Sequence, residues 1–126
     1  MGVGMRLGKD LVAASATPMV LGILAEGQSY GYAILKRINE LSGGELDWTE
    51  GLLYPLLHRL ERLGHVESSW QEVSGERRRK YYRITDAGAA ELADQRRQWT
   101  TVVQTLKEVW PGEPRPFMAF ALGGVA

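Results

Sequence analysis

The chain has 126 residues, and its 15 basic side chains balance its 15 acidic ones at a net charge of zero. It contains no cysteine, which excludes a disulfide framework, a thiolate zinc site and a cysteine nucleophile together. The length suits one globular core, and no run approaches the roughly 20 apolar residues of a membrane span.

Residues 1–10 lack the apolar run of a secretory signal, and Arg6 breaks the myristoylation pattern, so a cytoplasmic, non-membrane protein is expected. Residues 9–25 have helical character interrupted by Pro18. Thr17 and Pro18 form a natural helix start, which predicts a short helix over 9–16 and a second over 18–25, or one helix kinked at the proline. Met19, Val20, Ile23 and Leu24 give it a buried face. Ser29 is the expected cap of a helix over 30–41 with Ala33, Ile34, Ile38 and Leu41 inward, ended by Ser42, Gly43 and Gly44. A short extended piece is expected over 45–48.

Thr49 starts a third helix over 50–63. At 100° per residue, Leu53, Leu56, Leu57 and Leu60 share one face. Gly51, Pro55, His58 and Arg62 fall opposite, with Tyr54 at the flank. Pro55 sits awkwardly in this helix, because it removes one backbone hydrogen bond. Residues 66–73 then read as a strand, 74–76 as a turn and 78–84 as the returning strand, with Trp70 expected to pack behind the hairpin. Thr85 caps a last helix over 86–110, whose apolar positions Leu92, Trp99, Val102, Val103, Leu106, Val109 and Trp110 recur at steps of three and four. Of these, Leu92, Trp99, Val102, Leu106, Val109 and Trp110 are the expected dimer-interface residues. Pro111 and Gly112 stop this helix.

Three helices, a two-stranded hairpin and a final helix make a mainly α protein in the order of a winged helix-turn-helix with a C-terminal dimerisation helix. The expected division is 1–85 for the DNA-binding domain, 86–110 for the dimerisation helix and 111–126 for an apolar, Pro- and Gly-containing tail. In this layout the third helix enters the major groove of a duplex and the hairpin tip lies on the backbone or in the minor groove. The segment GERRRKYYR at 75–83 fits that tip: five cations in nine positions, with two tyrosines among them. Arg77, Arg78, Arg79 and Lys80 are therefore the expected wing contacts. On the third helix, Thr49, Gly51, Tyr54, Pro55, His58 and Arg59 lie where a duplex would approach, and Lys36 adds a cation from the helix before.

The segments LAEG at 24–27, YGY at 30–32, GLLYPLLHRLE at 51–61, GERRRKYYRIT at 75–85 and Gly88 together closely resemble the PadR family of bacterial transcriptional regulators. The resemblance spans about 9–110. It implies a cytoplasmic homodimer, usually a repressor, on an inverted-repeat operator of double-stranded DNA, with Tyr32, Tyr54 and the wing cations touching the duplex. Where that family usually carries Thr or Ser after the helix-three glycine, this chain has Leu52, which either meets a thymine methyl or turns into the core. The short C-terminal part looks like the small subfamily that includes the lactococcal multidrug-resistance regulator. That likeness implies a hydrophobic or aromatic effector at the dimer centre, held by Trp99 and Val103 with Leu11, Ser15 and Pro18 of the first helix opposite.

Trp99 among Val102, Val103 and Leu106 also reads as plain interface packing. Neutral net charge and Leu52 leave open a winged-helix interaction module without DNA, and Trp99 a carrier of flat aromatics. His58 and His65, seven residues apart without cysteine support, make no metal site, and no cofactor is expected. No Ser-His-Asp set or phosphate-cradling glycine loop is present, so no enzyme activity is expected.

Overall fold

The computed structural model describes residues 7–75, 77–110 and 112. Its elements are α1 (Lys9–Ala25), α2 (Gly31–Leu41), α3 (Glu50–Arg62), β1 (Val66–Val73), β2 (Arg77–Ile84) and α4 (Asp86–Val109). The fold is a winged helix: three helices, an antiparallel hairpin and a long last helix, as the element order predicts. The chain forms two compact units that divide inside α4, between Gln95 and Arg96. The tail read at 111–126 lies, apart from Gly112, outside the described residues.

The core of the first unit joins one face of each element. Val20, Leu21 and Leu24 of α1, Ile34 and Ile38 of α2, and Leu53, Leu57 and Leu60 of α3 meet Val66 and Tyr82 of the hairpin, all nearly inaccessible. Burying side chains of this size, at about 1.5–3 kcal/mol each, is what holds the three helices together.

Several local expectations change in the three-dimensional context. α1 is one helix straight through Pro18, and Thr17 caps nothing. Ala16 before the proline and Val20, Ile23 and Leu24 after it lie in the same core, so packing on both sides offsets the missing hydrogen bond. Ser29 does not cap α2: Tyr30 occupies the cap position, and no side-chain cap bond forms there. Leu41, expected inside, is exposed. The segment 45–48 is not a strand; it delivers Trp48 into the core, 4% exposed. Thr85 does cap α4: its hydroxyl accepts from the Gly88 N–H at 3.0 Å and donates to the Gly64 carbonyl at 2.6 Å. Gly88 is required at its place, because a Cβ there would collide with the His65 carbonyl oxygen.

Candidate nucleic-acid interface

The hairpin is fixed to the helices at four points. Ser29, between α1 and α2, pairs with Tyr82 through two backbone bonds, N–H to carbonyl at 3.0 Å and the reverse at 2.7 Å. This adds a one-residue third strand to the wing. Gln71 of β1 donates to Gln28 at 3.2 Å, and Ser68 donates to Glu61 of α3 at 2.7 Å. The Arg79 guanidinium lies 3.9 Å from the Tyr30 ring centroid, and Tyr81 meets the same ring edge-on at 5.4 Å. Ser29 and Tyr30 thus connect the wing to the start of α2.

These attachments define an open groove of about 420 Å³ between the start of α2, the outer face of α3 and the wing. Tyr32, Tyr54, His58, Arg78, Arg79 and Lys80, all expected from the sequence, line it. Tyr30, Gly31, Trp70 and Tyr82 line it too and are not expected there from the sequence. Gly31 has a steric role: a Cβ at that position would come within 2.6 Å of Tyr54 Cζ and clash with its hydroxyl. The bare backbone of α2 therefore lets the Tyr54 ring lie across the α2–α3 junction. Trp70 is 57% exposed, not packed behind the wing as expected.

The other expected contacts lie around the groove rather than in it. Gly51, Pro55 and Arg59 sit on the exposed side of α3, with Thr49 at its cap, and Arg77 and Lys36 are exposed. A Cβ at Gly51 would meet only Thr49 Oγ1, at 3.7 Å, so nothing inside the protein demands glycine there. Leu52 turns inward: it is half-buried and lines an apolar recess with Val12, Ala13 and Trp48. Of the two options open from the sequence, it takes the core.

Charge is sorted in the same way. Arg37 forms a two-pronged pair with Glu26 at 3.0 and 3.1 Å, Arg83 pairs with Glu67, and Lys36 lies 4.0 Å from Glu40. The Glu26 carboxyl is held below its ordinary range by the Arg37 hydrogen bond. Among the described residues, Arg77, Arg78, Arg79 and Lys80 have no carboxylate partner within 4.0 Å. In a molecule of zero net charge, the wing therefore carries four consecutive cations with no such partner among the described residues. Burial raises the Tyr82 phenol above its usual value, with Glu61 and Tyr54 adding to the shift.

On α1, Leu11 is exposed, Pro18 is half-buried, and the Ser15 hydroxyl donates to the Leu11 carbonyl at 2.9 Å. On α4, Leu92 packs against the core of the first unit. Beyond Gln95, Trp99 is half-buried, while Val102, Val103, Leu106, Val109 and the following Trp110 are exposed. Among the described residues no His, Asp and Glu cluster could hold a metal ion, and no helix is long and apolar enough to cross a membrane.

Comparison with known proteins agrees with this geometry. A solved transcriptional regulator from Clostridium thermocellum superposes with a TM-score of 0.74 at 30% identity, covering 80% of this chain and 98% of the other. A PadR-like transcriptional regulator from Bacillus cereus superposes with a TM-score of 0.73 at 28% identity, covering 83% and 100%. A transcriptional regulator of Mycobacterium tuberculosis is 47% identical over 58 residues, 46% of this chain and 53% of that one. The model of the transcriptional regulator PadR-like family matches residues 20–94, and the chain belongs to that family of regulators, not to a family of enzymes.

Proposed function

We propose that this protein is a cytoplasmic repressor that binds an inverted-repeat operator in double-stranded DNA as a homodimer and is released by a hydrophobic or aromatic effector. One observation carries the reading. Arg78, Arg79 and Lys80, which have no carboxylate partner among the described residues, converge with Tyr32 and Tyr54 on a single groove, beside a helix face that is polar and exposed. Arg37 on α2 and Arg83 at the base of the hairpin are instead paired, with Glu26 and Glu67.

In this mechanism α3 lies in the major groove and offers Tyr54 and His58 to base edges, with Gly51 letting the backbone approach. Arg78 and Lys80 meet phosphates, so affinity is sensitive to salt. The exposed apolar stripe on α4, from Val102 to Trp110, fits burial against the same stripe of a second copy. A two-fold so formed would set two reading heads about 34 Å apart. A flat apolar molecule beside Trp99 and Val103 would change that spacing, and would release DNA to the extent that it binds the two dimer states unequally.

Electrophoretic mobility with the DNA upstream of the chain's own gene, over a salt series, tests the reading. Saturable binding that weakens as salt rises is expected; no binding at low salt contradicts it.

A further inference from the structure

Trp70 is the exposed tryptophan of the groove, on a side chain whose type argues for burial. It stands in the middle of β1, opposite Lys80 in the hairpin register, with Arg78 two residues nearer the tip on β2. The Arg78 guanidinium carbon is 5.4 Å from the indole centroid and the Lys80 ammonium 6.0 Å. The two cations lie over the ring at cation–π distance, and more than half of this tryptophan nevertheless remains open to solvent. The same face of the hairpin carries Ser68 opposite Tyr82, where the core begins, and Glu72 opposite Arg78, toward the tip. Trp70 is therefore the first residue on that face beyond the core, and it lines the groove shared with Tyr54 and His58.

We infer that Trp70 is itself a contact to DNA: its indole packs on the sugar and base edge of the strand whose phosphates Arg78 and Lys80 hold. The inference rests on the proposed use of the groove for a duplex. Three physical facts support it. An aromatic ring is sequence-tolerant as a partner for deoxyribose and bases, because every nucleotide offers an apolar ring face or edge. Guanidinium and ammonium groups beside the ring are held by its quadrupole, which orders them before phosphate arrives. When phosphate neutralises these cations, water leaves the cations and the indole together, so the ring's exposed area becomes useful burial. The ring adds affinity without reading sequence and without neutralising a phosphate.

This predicts a signature distinct from that of the cations. Trp70→Ala should weaken binding by about tenfold, both to the upstream DNA and to an unrelated duplex of about 30 base pairs, with the salt dependence unchanged. Trp70→Phe should restore most of the affinity. Because the side chain is largely exposed, both variants should fold, as a thermal melt would verify. In the wild-type full chain, the part of the tryptophan emission that disappears in Trp70→Phe should become protected from acrylamide when duplex is added. Wild-type affinity in Trp70→Ala, or an indole equally quenchable with and without duplex, overturns the inference while leaving the regulator reading intact. Absence of DNA binding by the wild type would instead remove the reading on which it rests.

Discussion

Gly31→Ala and Gly51→Ala are the same chemical change with opposite expected consequences. At Gly31 the new methyl would drive into the end of the Tyr54 ring, so that ring must be displaced from its seat on α2. A destabilisation of about 1–3 kcal/mol is expected in a denaturant titration, the usual range for overpacking. At Gly51 the methyl makes only an ordinary contact with Thr49 Oγ1, and the helix gains up to about 1 kcal/mol from the better helix former. DNA binding should nevertheless weaken there, because the methyl would stand between the α3 backbone and the duplex. A Gly51→Ala protein that is more stable and binds as well as wild type would show that this end of α3 does not approach DNA. Tyr82 gives a second residue-level prediction. Its phenol is held above the ordinary value of 10.0 by burial, so its folded-state pKa exceeds its unfolded one. The associated stability is therefore complete below about pH 10 and disappears as pH rises through the folded value. Tyr82→Phe should flatten the alkaline limb of a stability-versus-pH curve; an unchanged limb would assign the alkaline destabilisation to other groups. Of these residues, the outward set on α3 is legible in the chain, because a 3.6-residue period separates Leu53, Leu56, Leu57 and Leu60 from Gly51, Pro55 and His58. Gly31 is not, since its constraint comes from the ring of Tyr54, a residue on a different helix.

At the scale of elements, the wing is where local pattern and tertiary context part company. The strands themselves are legible, since GERRRKYYRI combines a turn glycine with a β-prone return. The attachment to the body is not. Ser29 looks like a helix cap, yet both its backbone groups are used by Tyr82. Tyr30 looks like the first residue of a helix, yet its ring carries Arg79 and Tyr81. Residue type argues for the packed side at Trp70, because large aromatics usually bury, but the parity of β1 carries that face beyond the core. α1 shows the converse: of the two options that Pro18 leaves open the helix is continuous, with Ala16 and Val20 on either side of the proline in one core. Arg79 should serve the wing's position as much as its charge. Arg79→Ala should loosen the hairpin, with faster amide exchange at Ser29 and Tyr82. Arg78→Ala with Lys80→Ala should leave exchange alone and reduce the salt slope by about 0.9 for each phosphate no longer neutralised. Equal exchange in both variants would argue against a cation–aromatic anchor.

For the whole molecule, the distribution of charge and apolar surface matters more than either total. Composition gives no hint of a polyanion partner, because the 15 cations match the 15 acids. Only folding distinguishes Arg37 and Arg83, which pair with Glu26 and Glu67, from Arg77, Arg78, Arg79 and Lys80, which have no carboxylate partner among the described residues. The apolar stripe of α4 is legible in its steps of three and four, and in the single chain it is exposed at Val102, Val103, Leu106 and Val109. Carboxylates placed there cannot be buried against a second copy at tolerable cost. Val103→Glu combined with Leu106→Glu should therefore sediment as a monomer and bind the inverted repeat far more weakly than wild type, while a dimer in sedimentation would place the interface elsewhere. The decisive measurement is the affinity of the wild-type chain for its upstream DNA, followed over a salt series beside the Arg78→Ala, Lys80→Ala double variant. Tight binding by the wild type is expected, with a steep salt dependence that becomes shallower in the variant. Binding with the same slope in both proteins, or none in either, would show that this rim does not grip a duplex.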